Sequence, residues 1–156
     1  MEIKMKKILY ACTFMLLTFV ISANIATAGN KGPFQWPVVK VKDGDTFQVN
    51  PDWLPEGLTL SIRVKGVDTP EKAPRALCEK EAELGKKATE YTTNRLAPAI
   101  ARKEVITLKN IEWDKFGGRM LADVYVGDST QSLTQELIAA GLAREYWGDK
   151  KKSWCD

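Results

Sequence analysis

The side chains with the clearest chemical potential in this sequence are carboxylates and arginines at its turns. Asp45 follows a glycine in the stretch DGDT, and Asp68 and Glu71 stand in the stretch VDTPE. Arg63 precedes Asp68 by five residues, and Arg119 follows a pair of glycines. The chain contains no histidine, which excludes an imidazole base, a Ser-His-Asp triad and histidine metal ligands. An acid–base group would then be a carboxylate, and a metal ion such as Ca²⁺ would be bound by oxygen.

Two arginines in such a setting suit a phosphate group, because planar guanidinium donors match two phosphate oxygens at once. Donors placed where charge develops also stabilise a five-coordinate phosphorus. The formal net charge is only +3, so a basic site would come from local placement of arginine and lysine. Arg63 and Arg119, together with the carboxylates, therefore indicate phosphodiester hydrolysis by water beside a metal ion.

Each of these residues also has a simpler interpretation. Asp45 alone fits an Asp-Gly-Asp turn, and Asp68 can accept hydrogen bonds from backbone amides of its own turn. Glu71 can be a solvated surface acid, Arg63 an outward-facing strand residue and Arg119 a charge on a hairpin turn. The combination of the five residues indicates a site, whereas none of them does so alone.

The elements that would position these residues are short strands and two amphipathic helices. Alternation of β-forming residues predicts strands over 38–42, 45–50, 58–67, 104–112 and 120–126. Apolar spacing predicts a helix over 77–96 and a second one that starts at Ser132, where Ser132 and Gln135 resemble a capping box and Gly141 ends the helix. The order predicts a single α+β, mainly β domain whose five strands form an OB barrel.

The first 28 residues have the pattern of a cleaved secretion signal. A basic start is followed by an apolar run over 8–21 and by Ala26-Thr27-Ala28 before Gly29. An uncleaved anchor is the alternative, although the run is short for a membrane-spanning helix. We therefore expect a signal peptide over 1–28 and an exported domain over 29–156, periplasmic or secreted and free of the membrane after cleavage.

The expected mature chain keeps two of the three cysteines, Cys78 and Cys155. Two cysteines in an exported protein favour one disulfide, which would connect the start of a helix to the C-terminal segment. Two free buried thiols are the alternative.

Four separate motifs carry a family resemblance. They are DGDT at 43–46, Arg63 with VDTPE at 67–71, DKFGGR at 114–119 and AGLA at 140–143. In this order they resemble the staphylococcal nuclease (thermonuclease) family over about residues 36–147, and the ending KKSWC resembles its exported bacterial branch. The resemblance implies an OB barrel with about three helices and Ca²⁺-dependent hydrolysis of DNA and RNA with little sequence preference.

The resemblance also implies roles for single residues. The calcium ligands correspond to Asp45, Asp68 and the backbone carbonyl of Thr69. The residues at the scissile phosphate and the attacking water correspond to Arg63, Arg119 and Glu71. The residues that contact neighbouring nucleotides correspond to Lys115, Phe116, Tyr146 and Trp147. Two departures from the family pattern are Phe116, which replaces a tyrosine, and one extra glycine, Gly118, before Arg119.

The sequence thus predicts an exported, Ca²⁺-dependent endonuclease, a hydrolase acting on single-stranded or denatured DNA and RNA. A monomer without a stable protein partner is expected. The alternative is a non-catalytic nucleic-acid-binding OB module, which would be expected to lack the carboxylates or arginines found here. A small OB protein for another anionic ligand rests on fold alone.

Overall fold

The computed structural model describes residues 32–156. The predicted signal peptide over 1–28 lies outside the described residues. The elements within that range are β1 (Val38–Asp43), β2 (Thr46–Val49), β3 (Leu60–Val64), β4 (Val67–Asp68), α1 (Glu79–Ile100), β5 (Ile106–Trp113), β6 (Met120–Val126), α2 (Leu133–Ala139) and β7 (Arg144–Glu145). None of the described helices has the length and apolarity needed to cross a bilayer.

Five of the strands form one sheet in the order β1-β2-β3-β6-β5. The neighbours are antiparallel except for β3 and β6, which run parallel with Arg63 opposite Leu121. The edge strands are β1 and β5, and a single bridge joins Phe34, ahead of β1, to Leu108 of β5. The predicted α+β, mainly β class is confirmed. The pairing of the described strands gives a five-stranded sheet without the strand-to-strand closure of the predicted barrel.

Alternation along the strands sets the core, because successive side chains of a strand point to opposite faces. Ile62 and Val64 of β3 are fully buried. They share one apolar cluster with residues of β5, β6 and both helices: Ile106, Leu108, Ala122, Val124, Leu96, Ala99, Leu133 and Leu137. Burial of a Leu, Ile or Val side chain is worth about 1.5–3 kcal/mol. The core therefore fixes the sheet. The alternate positions of its strands carry polar side chains on the other face.

The predicted strand over 58–67 is two strands in the structure. Gly66 adopts a φ of +80°, a left-handed conformation that glycine tolerates, and it turns the chain between β3 and β4. Beyond this turn, β4 pairs with β7, which places Val67 opposite Glu145 and Asp68 opposite Arg144. This second, two-stranded sheet brings the C-terminal segment to the VDTPE loop.

The helices differ from prediction in length and number. The first helix runs through Pro98 to Ile100 rather than ending near residue 96. Leu96 and Ala99 flank Pro98 and are buried in the core, so their packing offsets the hydrogen bond that proline cannot donate. The resemblance implied about three helices, but the described residues contain two. After α2 the two residues of β7 pair with β4, and no further helix follows among the described residues.

The predicted boundaries of the second helix are confirmed in detail. Ser132 Oγ accepts a hydrogen bond from the Gln135 amide, and the Gln135 side chain accepts one from the Ser132 amide, which completes the capping box. Gly141 follows the C-cap with a φ of +69°.

Cys78 and Cys155 form a disulfide, as predicted. Cys78 is also the N-cap of α1, so the bond ties the start of that helix to the C-terminal segment. The two cysteines are 77 residues apart. In the chain-entropy model, closing a loop of this length stabilises the fold by about 4 kcal/mol.

Candidate active site

The turn between β1 and β2 holds Asp45, the first of the predicted metal-binding residues. Asp45 is buried behind Gly44, and the Gly44 carbonyl accepts a hydrogen bond of 2.6 Å from Thr92 Oγ1 of α1. A Cβ on Gly44 would lie 2.7 Å from Ala88 Cβ and 3.0 Å from Thr69 Oγ1. Glycine therefore allows the turn to approach both α1 and the VDTPE loop, which fixes Asp45 close to Thr69.

Arg63 of β3 connects the two predicted metal-binding aspartates. Its Nη1 donates to Asp45 Oδ1 at 2.9 Å, and its Nη2 lies 2.8 Å from Asp45 Oδ2. The same Nη2 donates to the Val67 carbonyl at 3.1 Å and lies 4.0 Å from Asp68 Oδ1. The β2–β3 register, with Thr46 opposite Arg63, creates this contact. The outward-facing interpretation of Arg63 is wrong, since only 12% of its side chain is exposed.

Burial, a neighbouring carboxylate and a bound guanidinium together set the electrostatic environment of Asp45. Burial raises the pKa of Asp45 to about 6, and the guanidinium of Arg63 acts in the opposite direction. The neighbouring carboxylate of Asp43 raises it further. Asp43 Oδ1 is itself buried without a hydrogen-bond partner. A buried carboxylate oxygen without a protein donor is a ligand of the kind that Ca²⁺ prefers.

Asp68 and Thr69 complete the set of predicted metal-binding residues. Both are buried at the end of β4, directly beside the Gly44 turn. Asp68 Oδ2 accepts a hydrogen bond from Trp154 Nε1 at 3.2 Å, and Asp68 Oδ1 lies 2.6 Å from Lys151 Nζ. The structure therefore brings Asp45, Asp68 and Thr69 together, as the sequence predicts. It adds Asp43, which the sequence analysis passed over although it stands in the same DGD turn.

Glu71 lies at the edge of this set of residues, in the loop after β4. Helix α1 packs against that loop and positions it. A Cβ on Gly85 of α1 would lie 2.4 Å from the Glu71 carbonyl oxygen, so the helix contacts the loop backbone closely. The Glu71 carboxylate lies 2.9 Å from Arg75 Nη2 and 4.0 Å from Lys151 Nζ. Arg75 also donates to Asp43 Oδ2 at 3.2 Å. Glu71 is thus a half-buried carboxylate held by ion pairs rather than a freely solvated acid.

A cleft of about 380 Å³ opens beside these carboxylates. Its lining contains seven of the predicted residues: Arg63, Glu71, Lys115, Phe116, Arg119, Tyr146 and Trp147. Asp45, Asp68 and Thr69 do not line the cleft, but Arg63, which does, contacts Asp45 and lies 4.0 Å from Asp68 Oδ1. One cleft therefore combines two guanidinium groups with a carboxylate that lies at its surface.

Arg119 reaches the cleft despite the extra glycine before it. Gly117 and Gly118 both adopt a φ of +71°, so the additional residue is taken up within the turn between β5 and β6. Arg119 Nε donates to Asp114 Oδ2 at 2.5 Å, and Asp114 Oδ1 accepts a hydrogen bond from the Phe116 amide. Burial acts to raise the pKa of Asp114, but these two donors outweigh it and hold the pKa below its usual range. A charged Asp114 thus orients Arg119.

The model of one protein family, described as staphylococcal nuclease homologue, matches residues 61–154. The chain belongs to this family. None of the curated proteins compared with the chain matches it. The predicted family is confirmed, and membership indicates a nuclease-like function that concerns nucleic acid.

In this staphylococcal nuclease homologue, three aromatic rings stand exposed at the cleft. The exposed fractions are 74% for Phe116, 70% for Trp147 and 65% for Trp113. Trp147 lies over Gly66, where a Cβ would be 2.9 Å from the indole. Lys115 Nζ lies 5.2 Å from the centre of the Phe116 ring. Exposed rings beside cationic groups suit the stacking of unpaired bases.

Five residues of the site were missed by sequence reasoning: Asp43, Arg75, Trp113, Lys151 and Trp154. A local signal existed for Asp43, which lies within DGDT, for Trp113, which adjoins DKFGGR, and for Lys151 and Trp154, which lie within KKSWC. The contacts that bring Arg75, Lys151 and Trp154 to the carboxylates depend on tertiary geometry, for which the sequence has no local signal.

Proposed function

We propose that this staphylococcal nuclease homologue is an exported, Ca²⁺-dependent nuclease that hydrolyses phosphodiester bonds of DNA and RNA with little sequence preference. The observation that carries the proposal is the cleft in which Arg63, Arg119 and Glu71 stand beside the buried carboxylates. The five-stranded sheet and the Phe34–Leu108 bridge support an OB-type barrel as the architecture.

Asp45, Asp68 and the backbone carbonyl of Thr69 would hold Ca²⁺, with Asp43 beside them. When bound, the ion supplies positive charge next to a phosphate oxygen and to the water that attacks phosphorus. Carboxylates and a carbonyl are ligands of the kind that Ca²⁺ prefers.

The arginines would bind the phosphate and stabilise its transition state. A guanidinium has five N–H donors, and the contacts of Arg63 with Asp45 and Val67 use three of them, which leaves two for a phosphate in the cleft. Arg119 keeps donors of its own beyond the Nε that contacts Asp114. As negative charge grows on the phosphate oxygens, these fixed donors interact with it more strongly than in the ground state.

Glu71 would accept a proton from the attacking water. It lines the cleft, and its ion pair with Arg75 orients the carboxylate. As the new oxygen–phosphorus bond forms, the bond from phosphorus to one ester oxygen of the nucleic acid breaks. In a chain without histidine, a carboxylate is the group best suited to this proton transfer.

The aromatic rings would favour single strands. Tyr146 and Trp147 line the cleft opposite Lys115 and Phe116, so a base removed from a duplex can stack there. Phe116 lacks a hydroxyl, so it would contribute ring contact rather than a hydrogen bond to phosphate. A monomer is sufficient for this arrangement, since every residue named belongs to one chain.

The Cys78–Cys155 disulfide supports an oxidising compartment, in agreement with the proposed export to the periplasm or the medium. Fractionation of cells that produce the full chain tests this part. Retention of the protein in the cytosolic fraction would overturn it.

The decisive experiment is cleavage of denatured DNA and of RNA by the chain over 29–156, with Ca²⁺ and then with a chelator. We expect cleavage with Ca²⁺ and none with chelator. Binding of DNA without cleavage under any divalent metal would replace the enzyme by a non-catalytic nucleic-acid-binding module. Failure to bind nucleic acid at all would overturn both.

A further inference from the structure

The C-terminal segment contacts Asp68, one of the buried carboxylates. The catalytic steps proposed for the cleft do not use these contacts. Trp154 is buried, and its indole N–H donates to Asp68 Oδ2 at 3.2 Å. The guanidinium of Arg144 lies 3.8 Å from the centre of the indole, and Arg144 Nη1 donates to the Ser153 carbonyl at 2.7 Å. The next residue, Cys155, is bonded to Cys78. Trp154 is therefore fixed on both sides while it contacts Asp68.

Lys151 approaches the other oxygen of the same carboxylate. Its ammonium lies 2.6 Å from Asp68 Oδ1 and 4.0 Å from Glu71 Oε1. In contrast to Trp154, the Lys151 side chain is 47% exposed, so its flexible stem has solvent on one side. One residue of this segment is thus fixed, whereas the other can leave without disturbing the core.

The two contacts have opposite consequences for a cation at Asp68. An indole N–H is a neutral donor, so it orients the carboxylate and leaves its charge in place. An ammonium neutralises the charge and occupies the space that a cation would take at Oδ1. A divalent ion and an ammonium at the same oxygen would repel each other, so one must leave.

We propose that residues 151–155, the C-terminal strap, set the cation affinity of the site through these two contacts. Trp154 is a positioning residue that directs Asp68 Oδ1 toward the cation. Lys151 is a resident counter-cation that the divalent ion displaces. This inference rests on the proposed function, because it takes Asp68 to be a ligand of the ion.

The test is calorimetric titration of Ca²⁺ into the chain over 29–156 at fixed ionic strength. Lys151→Met should lower the Kd about tenfold, since a contacting positive charge is removed. Lys152→Met is the matched control: Lys152 is exposed in the same segment, and its loss should change the Kd less than about twofold. Equal effects of the two substitutions would mean that Lys151 acts only through its positive charge near the site and not through its contact with Asp68. That result would overturn the inference.

Trp154→Phe keeps a ring under Arg144 and removes the N–H. We expect the Kd for Ca²⁺ to rise about tenfold or more, as for loss of one hydrogen bond to a charged group. A purely structural role of Trp154 would lower the urea midpoint and leave the Kd of the folded protein unchanged, which would refute the positioning role. If the unaltered protein takes up no Ca²⁺, the proposed function fails and this inference with it. If it binds Ca²⁺ while all three variants match it, only the inference fails.

Discussion

Replacement of Arg63 by alanine should destabilise the protein far more without Ca²⁺ than with it. Arg63 and Asp45 form a two-pronged pair whose side chains are 12% and 4% exposed. Removal of one partner from a buried pair typically costs about 3–5 kcal/mol, because the other charge is left in a dry site. We expect a loss of about 3 kcal/mol without Ca²⁺, at the lower end of that range, since the guanidinium lies at the edge of the cleft.

Bound Ca²⁺ would restore part of the free energy of unfolding that the variant has lost. In the unaltered protein the ion would share Asp45 with Arg63, whereas in the variant, at a pH above the raised pKa of Asp45, it would meet a carboxylate without a counter-charge. Ligand binding to the folded state stabilises in proportion to the logarithm of affinity, so a variant that binds Ca²⁺ about tenfold more tightly gains roughly 1.4 kcal/mol more from saturating ion. The variant should therefore regain nearly half of its lost stability.

The assay is urea unfolding with saturating Ca²⁺ and with chelator. A domain of this size has a slope of about 1–3 kcal/mol per molar urea, so a loss of about 3 kcal/mol shifts the midpoint by roughly 1–3 M. Arg95→Ala is the control, because Arg95 makes a similar pair with Glu136 at 2.7 and 3.0 Å and neither residue lines the cleft. Its loss should be unaffected by Ca²⁺. Equal Ca²⁺ increments in all three proteins would refute the view that Arg63 and the ion share Asp45.

Three further substitutions test the cleft. Glu71→Gln should lower kcat for denatured DNA on the order of 10²-fold with little change in KM, and near-normal turnover would exclude it as the base. Gly85→Ala would place a Cβ 2.4 Å from the Glu71 carbonyl, so kcat/KM should fall about tenfold, whereas Lys86→Ala on the same helix should have no effect. Trp113→Ala should raise KM for single-stranded DNA roughly fivefold or more, as for loss of one stacked base. Trp53 is 62% exposed but does not line the cleft, so an equal effect of Trp53→Ala would count against stacking at Trp113.

The parts of the fold that depend on neighbours in sequence could be predicted. The alternation in β3, the capping box of Ser132 and the left-handed Gly141 each follow from a few adjacent residues. The carboxylates and arginines were also recognisable, because each stands within a short motif or, like Arg63, on the strand that leads into one. That they converge follows from the register of β2 and β3, which places Thr46 opposite Arg63.

The parts that depend on distant contacts could not be predicted. Trp154 and Asp68 are 86 residues apart in sequence, and the segment around Trp154 has no helical or strand periodicity. The disulfide prediction brought Cys155 to the start of α1 but gave no reason to place Lys151 on Asp68. The third helix was overpredicted for a related reason. It comes from the architecture of a family, whereas among the described residues of this chain α2 is followed by the short strand β7, which pairs with β4.

The balance of charge at the site supports the proposed role of the C-terminal strap. Four carboxylates cluster there: Asp43, Asp45, Asp68 and Glu71. Three cationic side chains contact them: Arg63, Arg75 and Lys151. The four negative and three positive side chains leave a net charge of about −1 before any ion binds. A divalent ion would turn this net charge positive unless one of the cationic side chains leaves. Arg63 is fixed by Asp45 and by the Val67 carbonyl, and Arg75 bridges two carboxylates. Arg75 is more exposed than Lys151, but it holds two carboxylates at 2.9 and 3.2 Å, whereas Lys151 holds only Asp68 at a comparable distance. Lys151 is therefore the cation whose release costs the fold least.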